Sequence, residues 1–345
     1  MAGRARTAAW DALAPALRRS LAENGLVLAL MASYVVSAAI LAAAYDFAFS
    51  LTLYAPLWAL MAAGLAVYGA VRGRLPQAWR ADERLALAGP PVLLAPAFYS
   101  AFTSVKSAIG LVHPYRWDGR LGEADRFLLG GEAWRALQPA LGHPPVTFVL
   151  SLLYGAWHPA LILVFGAVAF SLGRPALRRQ ALTALILCWA LLGTAAAIAF
   201  SSVGPCFAGR LGLGSGAVFG EQAAYLAWAD SRLPLLEFAE QQRLLTAFAD
   251  GRPTLGSGIS AMPSMHVAVA LLMALIGWRT ARLAGALGTA YLVVVVAASI
   301  HLGWHYAWDS IAALAGTALI WAVSGWSAEP RPAPQPAPRP GPPSA

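Results

Sequence analysis

The sequence predicts an all-α integral membrane protein with about eight transmembrane helices, and three observations support this prediction. Of the 345 residues, 59% are hydrophobic and only 12% are charged, whereas a soluble domain carries roughly 25% charged residues. Apolar runs of membrane-spanning length recur along the chain, and arginines cluster in alternate connections between them. The formal net charge of +8 does not indicate a nucleic-acid partner, because the arginines are scattered between apolar runs instead of forming one basic face.

Eight apolar runs account for the predicted spans. A helix needs about 20 apolar residues to cross a bilayer core about 30 Å thick. The run at 145–172 contains Pro159 and is expected to kink. The run at 263–278 is short and, at about 1.5 Å per residue, reaches only part-way through the membrane, so its first residues are expected at the base of a pocket. The predicted spans are 26–45, 50–71, 85–105, 145–172, 180–201, 263–278, 283–300 and 306–326.

Arginine placement predicts the orientation of these spans. Positive residues accumulate in cytoplasmic connections, and the arginine-rich segments before the first span and after the second, fourth, sixth and eighth all fall on one side. The long loops 106–144 and 202–262 fall on the other side and mix acids with bases. We therefore expect cytoplasmic termini and two extracytoplasmic loops. The arginine- and alanine-rich composition fits a bacterial inner membrane, with the loops facing the periplasm or the exterior.

The segment Pro263-Ser264-Met265-His266 opens the short sixth run and has the features of an anion site. Proline favours the first turn of a helix, and the free N–H groups of that turn attract anions. The amides around Ser264 and Met265 are therefore predicted to bind a phosphate, with His266 beside it as the proton donor. The alternative is a serine that only caps the helix and a histidine satisfied at the membrane interface.

His305 and Asp309 stand four residues apart in the second motif, a spacing that puts them on one helix face. A carboxylate at this spacing accepts the Nδ1 proton of an imidazole and leaves Nε2 free as a nucleophile. The alternative is a polar pair that only caps the last span. With His301, the two residues also have a spacing that would suit a metal. Gly303 is expected to interrupt such a helix, so we predict no metal site.

Lys106 is the only lysine among the 24 basic residues and ends the third predicted span. Its ammonium would bind phosphate oxygens as a point charge. The alternative is a lysine that extends its charge to the membrane interface. With the orientation given above, Lys106, His266 and His305 all lie at the extracytoplasmic surface. Three segments that are distant in sequence are thus predicted to meet in one site.

Together these segments resemble the type 2 phosphatidic acid phosphatase superfamily, and more closely its inositol phosphorylceramide synthase branch. The superfamily pattern has a lysine-bearing motif, then Pro-Ser-x-His, then a final motif that ends in His-x-x-x-Asp. In this sequence the three motifs fall on Lys106, on 263–266, and on His305 with Asp309. The resemblance covers roughly residues 85–326.

The resemblance implies an activity, a mechanism and a domain organisation. The activity is that of a membrane lipid phosphate phosphatase or phosphotransferase that needs no metal or cofactor. His305 would attack phosphorus, Asp309 would support the phosphohistidine, and His266 would protonate the leaving group. A six-span catalytic core at 85–326 would follow a cytoplasmic N-terminus and two accessory spans at 1–84. The proline-rich tail at 327–345 is expected to be disordered and cytoplasmic.

Two arginines of the family pattern are replaced in this sequence. The Arg-Pro that ends the lysine motif is His113-Pro114 here, and Ser299 stands where the final motif carries an arginine. His113, His301 and Arg252 are the residues we consider as substitutes. His113 and His301 therefore join Lys106 and the 264–265 segment in the predicted phosphate site.

The acceptor of the phosphoryl group stays open. Water would make the protein a phosphatase, whereas an alcohol such as inositol would make it a head-group transferase that produces a phospholipid or phosphosphingolipid. The loop around Trp117, Asp118, Asp125 and Trp134 either binds a polyol or lies on the membrane as an amphipathic helix. A transporter is disfavoured because the ionisable residues gather at one face of the membrane. A catalytically degenerate, lipid-binding protein is the remaining alternative.

Overall fold

A computed structural model describes residues 2–77, 81–213 and 219–328. Within these ranges all regular secondary structure is helical, which confirms the predicted all-α fold. A 3-10 turn at Arg72–Arg74 follows α2, and a π-helical stretch at Cys188–Ala196 joins α9 to α10. The helices are α1 Ala2–Tyr45, α2 Ala55–Val71, α3 Asp82–Ser107, α4 Ile109–Val112, α5 Asp118–Leu129, α6 Ala133–Leu141, α7 Pro144–Gly155, α8 Trp157–Ala169, α9 Pro175–Leu187, α10 Ala197–Ala199, α11 Pro205–Ala208, α12 Gly220–Arg232, α13 Leu236–Ala249, α14 Met265–Thr280, α15 Arg282–His301 and α16 Ala307–Ala328.

The described part of the chain contains seven helices, or pairs of continuous helices, that are long and apolar enough to cross a membrane. They coincide with seven of the eight predicted runs, so the chain is an integral membrane protein. The remaining predicted run, the sixth along the chain, forms α14, which is apolar but has only 16 residues. These rise about 24 Å at 1.5 Å per residue, less than the roughly 30 Å of the hydrocarbon core. The seven spans are Leu17–Tyr45, Ala55–Arg74, Asp82–Ser107, Pro144–Ala169, Pro175–Ala199, Arg282–His301 and Ala307–Trp326.

The short helix α14 lies at the centre of the bundle. It packs along α15 and also contacts α8, α9 and α16. Small residues make the α14–α15 pairing close, because a Cβ at Gly277 would lie 2.5 Å from the Ala284 carbonyl oxygen and one at Gly288 would lie 2.7 Å from the Ala274 Cα. Such small residues let two membrane helices approach at backbone distance. The C-terminal half of α14 is therefore held closely against the first turns of α15.

The predicted kink at Pro159 occurs a few residues earlier in the chain. Helix α7 ends at Gly155 and α8 begins at Trp157, with Pro159 in the first turn of α8. Proline has no N–H to donate to the carbonyl four residues before it, so the helix breaks on the N-terminal side of the proline. The break leaves Tyr154 and Trp157 buried on either side of it.

The first two spans differ in how they contact the rest of the protein. Helix α1 lies along α3, whereas α2 buries none of its residues. The division into accessory spans at 1–84 and a catalytic core at 85–326 stays a prediction. Of the predicted disordered tail at 327–345, residues 329–345 lie outside the described residues.

The two long connections contain short helices that gather at one end of the bundle. Helices α4–α6 follow α3, and helices α11–α13 precede α14. Backbone hydrogen bonds join the two connections, since the Arg116 and Trp117 amides both donate to the Ser201 carbonyl. We call this end, where α3 ends and α14 and α16 begin, the site end of the bundle.

Candidate active site

His305 and Asp309 meet in the turn that starts α16. The helix begins at Ala307, so His305 precedes it and Asp309 lies in its first turn. The Tyr306 amide donates to Asp309 Oδ2 at 3.0 Å, and His305 Nδ1 lies 3.1 Å from the same oxygen. An acidic side chain that bonds back to the amide preceding its helix is a common capping arrangement. The spacing predicted this pair along one helix face; the structure forms it at a helix start.

The backbone turn before His305 sets the position of the His305 imidazole ring. Gly303 has a φ of +80°, which ends α15 as predicted. The amides of Trp304 and His305 then both donate to the Ser299 carbonyl, at 3.0 and 3.1 Å. Ser299 is the residue that replaces a family arginine, and it is fully buried in this turn. With Nδ1 of His305 directed to the carboxylate, Nε2 has no hydrogen-bond partner among the described residues.

His266 lies in the first turn of α14 and is packed between aromatic rings. Its ring stacks on Tyr154 with centroids 4.4 Å apart and contacts the Trp157 ring at 4.3 Å. Trp157 Nε1 donates to the His266 carbonyl oxygen at 3.0 Å. The His305 ring centroid is 6.5 Å away. The structure thus brings the two predicted catalytic histidines to one place, with neither nitrogen of the His266 ring hydrogen-bonded within the described residues.

The start of α14 is tied directly to the His305–Asp309 motif. Ser264 caps the helix through its Oγ, which accepts the Val267 amide at 3.4 Å. The Ser264 amide donates to the backbone carbonyl of Asp309 at 3.1 Å. That amide is therefore occupied, and the backbone amides at this helix start that have no partner within the described residues are those of Met265 and His266. The anion site predicted around 264–265 stays a prediction.

Lys106 ends α3 at the same end of the bundle. The loop before α14 covers it, because a Cβ at Gly258 would lie 2.7 Å from the Lys106 carbonyl carbon. Gly258 has a φ of +98°, so this close approach and this conformation both require glycine. Lys106 interacts electrostatically with His266 and with Glu240 and Arg243 of α13.

The remaining candidate phosphate ligands, His113, His301 and Arg252, lie in three different environments. His113 Nδ1 lies 2.8 Å from Ser201 Oγ, which itself donates to the Pro114 carbonyl. His301 is buried, with Nε2 3.0 Å from Thr147 Oγ1. Arg252 is exposed after α13.

Within the described residues, none of these three forms a hydrogen bond or a ring contact with His266 or His305. Their role as substitutes for the missing arginines therefore stays a prediction. So does the absence of a metal site; the described residues contain no group of three or more metal-ligating side chains.

Asp118 supports the turn that carries His305, a role that sequence reasoning missed. Its carboxylate is 3% exposed and accepts the amides of Val203 and Gly204 and the hydroxyl of Tyr306, at 2.9 to 3.1 Å. Burial raises the pKa of Asp118, and these hydrogen bonds oppose the rise. Tyr306 follows His305 directly, so Asp118 fixes the position of the candidate nucleophile from outside its own motif.

Asp125 lies seven residues further along α5 and caps the last span. It accepts the Ala307 amide at 2.9 Å and the Trp308 amide at 3.3 Å. Burial raises the pKa of Asp125 to about 6. One signal could have suggested this role: α16 starts after Tyr306, which has no side-chain acceptor for the first helical amides. Both carboxylates are thus used within the protein, which disfavours the hypothesis that they bind a polyol.

A family model described as the PAP2 superfamily matches residues 119–323. The match covers more than half of the chain and includes His266, His305 and Asp309, whereas Lys106 lies outside it. No curated protein and no solved structure matches the chain. The family match and the arrangement of the two histidine motifs lead to the same conclusion. The chain belongs to the PAP2 superfamily, whose members are phosphoesterases.

Proposed function

We propose that the protein is a lipid phosphate phosphatase or phosphotransferase that acts through a phosphohistidine on His305, without a metal or cofactor. One observation carries this proposal. His305 Nδ1 is held by the buried Asp309 carboxylate, Nε2 has no partner in the part of the chain that the structure describes, and the His266 ring centroid lies 6.5 Å away. At this separation both imidazoles can reach one phosphoryl group, His305 as the nucleophile and His266 as the proton donor.

The first half-reaction uses each of these groups once. His305 Nε2 attacks phosphorus, and the bond between phosphorus and the lipid oxygen breaks. His266 donates its proton to the leaving oxygen, while Asp309 stabilises the cation that forms on His305. The unpaired amides of Met265 and His266 and the Lys106 ammonium neutralise charge on the phosphoryl oxygens.

The second half-reaction reverses these roles. A hydroxyl of water or of an alcohol gives its proton to His266 and attacks phosphorus. The bond between phosphorus and His305 Nε2 breaks, and the free histidine is restored. Water yields a phosphatase. If the donor is a phosphodiester, its head group stays on the phosphorus bound to His305, and a lipid alcohol that attacks this phosphorus yields the head-group transferase expected for the inositol phosphorylceramide synthase branch.

A lipid substrate and an extracytoplasmic site follow from the membrane arrangement. The candidate residues lie at one end of a bundle of seven spans, at the start of a helix too short to cross the hydrocarbon core. A phosphate held there would remain attached to acyl chains in the same leaflet. The arginine-rich connections lie at the opposite end, so this end faces the periplasm or exterior of a bacterial inner membrane.

The test is release of diacylglycerol from phosphatidate and related lipids by purified protein in detergent that contains EDTA. Three variants are compared with the wild type: His305→Ala, His266→Ala and the control His143→Ala, which changes an exposed histidine outside the site. We expect the first two to lose about 1,000-fold or more in turnover, as removal of a nucleophile or proton donor commonly does, and the control to match the wild type. Turnover that requires a divalent metal, or that survives His305→Ala, would reject the proposal.

A further inference from the structure

A groove between α8, α14 and α15 lies at the opposite end of α14 from the candidate active site. Its volume is about 440 Å³, within the range of roughly 300–1,000 Å³ that is usual for ligand sites. Small and apolar side chains line most of its walls. Its polar lining is concentrated near the connection between α8 and α9 and the end of α14, where Ser171, Arg174, Arg178 and Thr280 lie.

The groove is about as deep as one leaflet of a bilayer. Tyr291 lines its inner end and lies nine residues after Arg282, the first residue of α15. Nine residues rise about 14 Å at 1.5 Å per residue, nearly half of the roughly 30 Å of the hydrocarbon core. Leu287 on the α15 wall is 63% exposed, so the protein leaves apolar surface in the groove uncovered. An alkyl chain that enters beside Arg282 would cover this surface and reach the middle of the membrane.

Three exposed arginines meet at the mouth of the groove. The Arg174 guanidinium donates to the backbone carbonyls of Arg279 and Thr280, at 2.7 and 3.3 Å. Arg282 is two residues after Thr280. Within the described residues, Arg174 keeps three of its five N–H donors unused. The side chains of Arg279 and Arg282 form no hydrogen bond or ion pair there.

The positive charge at this mouth is not balanced by the described part of the chain. Arg178, the other arginine that lines the groove, is buried and paired with Glu23. No described carboxylate pairs with Arg174, Arg279 or Arg282. Three uncompensated guanidinium groups therefore border an apolar groove of one leaflet's depth. Basic pockets between transmembrane helices are typical binding sites for anionic lipid head groups.

We propose that an anionic phospholipid binds here, with its phosphate on Arg174, Arg279 and Arg282 and one acyl chain in the groove. The lipid is a bound ligand and not a substrate, because no histidine or carboxylate is found among the described residues that line the groove. His266 lies 14 residues before Thr280 on α14, a rise of about 21 Å. The site is thus separate from the candidate active site, and the inference does not depend on the proposed function.

The experiment measures lipid affinity by native mass spectrometry. The full chain is delipidated in detergent and titrated separately with dioleoylphosphatidylglycerol and dioleoylphosphatidylcholine. One variant combines Arg279→Gln with Arg282→Gln, and a second, Ala167→Phe, places a ring in the groove from the α8 wall. The matched controls are Arg74→Gln, an exposed arginine after α2, and Leu163→Phe, an exposed residue of α8 outside the groove.

We expect the wild type to bind phosphatidylglycerol about tenfold more tightly than phosphatidylcholine. The double arginine variant should lose about 10- to 30-fold in affinity for phosphatidylglycerol, as removal of two arginines beside an anionic head group does. Its affinity for phosphatidylcholine should stay within about threefold of the wild type. Ala167→Phe should weaken both lipids by about tenfold, because the ring takes the place of several buried methylene groups.

Three results would overturn the inference. A wild type without preference for phosphatidylglycerol would exclude the head-group contacts. A loss in Arg74→Gln as large as that in the double variant would show a diffuse attraction to surface charge. Equal affinities in Ala167→Phe and Leu163→Phe would show that no acyl chain lies in the groove. The charge variant and the groove variant change different helices, so either one alone decides the question if the other does not fold.

Discussion

Helices α5 and α13 each bury two polar side chains at the site end of the bundle, but only on α5 are both polar atoms of each side chain hydrogen-bonded within the described residues. Asp118 and Asp125 of α5 accept hydrogen bonds from backbone amides, and Asp118 also accepts one from a tyrosine hydroxyl. Glu237 and Gln241 of α13 each keep an unpaired atom. Burial and residue type are similar in the two helices, so neither property identifies the side chains that hold the fold together. The distinction lies in whether the protein itself satisfies the group.

The buried α5 carboxylates have a structural role at the start of α16. Helix α16 begins after Tyr306, and its first amides need acceptors that the local sequence does not supply. Asp125 supplies them from another element and places negative charge at the positive end of the helix. The third residue of that helix is Asp309, so the same contact holds the partner of His305.

The largest expected effect on stability comes from replacing Asp118. Asp118→Leu removes the carboxylate that accepts hydrogen bonds from the Val203 and Gly204 amides and from the Tyr306 hydroxyl. At about 1–3 kcal/mol for each unsatisfied donor, we expect the free energy of unfolding to fall by about 5 kcal/mol. The thermal unfolding midpoint in detergent should fall by about 10 °C or more. The control is Glu123→Leu on the exposed face of α5; equal midpoints in the two variants would show that Asp118 does not have this role.

The second effect is a dependence of stability on pH. Burial raises the folded-state pKa of Asp125 to about 6, from about 3.9 in an unfolded chain. A raised pKa means that the folded state prefers the protonated carboxyl. The stabilisation is therefore complete below about pH 4 and is lost as pH rises through about 6, with an upper size of roughly 3 kcal/mol.

Unfolding midpoints measured between pH 4 and pH 7 test this dependence. The wild type should become less stable as pH rises, and Asp125→Asn should have a flatter profile. Burial also raises the pKa values of Asp118 and Glu237, so part of the slope should remain in the variant. An unchanged slope in Asp125→Asn would contradict the assignment to Asp125.

A smaller effect should separate two substitutions of Asp125. Asparagine keeps an oxygen that caps the first amides of α16, whereas alanine does not, and loss of a cap costs about 1–2 kcal/mol. We expect Asp125→Ala to be less stable than Asp125→Asn at pH 7, with a lower kcat and a similar KM because Asp309 and His305 lose alignment. A change in KM alone would instead indicate that Asp125 contacts the substrate.

The smallest expected effect is an increase in the free energy of unfolding, and it comes from a substitution in α13. Gln241→Leu removes a buried amide whose nitrogen is unpaired, so the free energy of unfolding should rise by about 1 kcal/mol. Gln242→Leu, on the exposed side of the same helix, should change it by less than about 0.5 kcal/mol. Thermal unfolding of the two proteins without ligand is the measurement. A clear destabilisation by Gln241→Leu would show that this amide is satisfied inside the protein.

The fold could be predicted from the sequence because its signals are local. Apolar run length and the placement of arginines marked the spans, including the short α14, and the four-residue spacing marked the His305–Asp309 pair. Pro159 predicted a break, but steric and hydrogen-bonding effects of proline act on the preceding turn, so the break lies after Gly155.

The rest of the site depends on contacts between distant segments. Asp118 accepts hydrogen bonds from amides 85 and 86 residues away in the chain. No periodic pattern in the sequence indicates such a pairing. The stack of Tyr154 on His266 depends on where the α7–α8 break falls relative to α14. His301 is predicted as a substitute for a missing arginine, and its hydrogen bond with Thr147, 154 residues away in the chain, is another contact that the sequence does not indicate.

The most direct test of the account is to identify the phosphorylated residue during turnover. Purified protein is mixed rapidly with radiolabelled phosphatidate, quenched in alkaline detergent, and mapped by peptide digestion, with His305→Ala treated in parallel. The account predicts an acid-labile, alkali-stable label on the peptide that carries His305, and no label on the variant. Turnover of the lipid without any label on His305, or a stable label on a different residue, would contradict it.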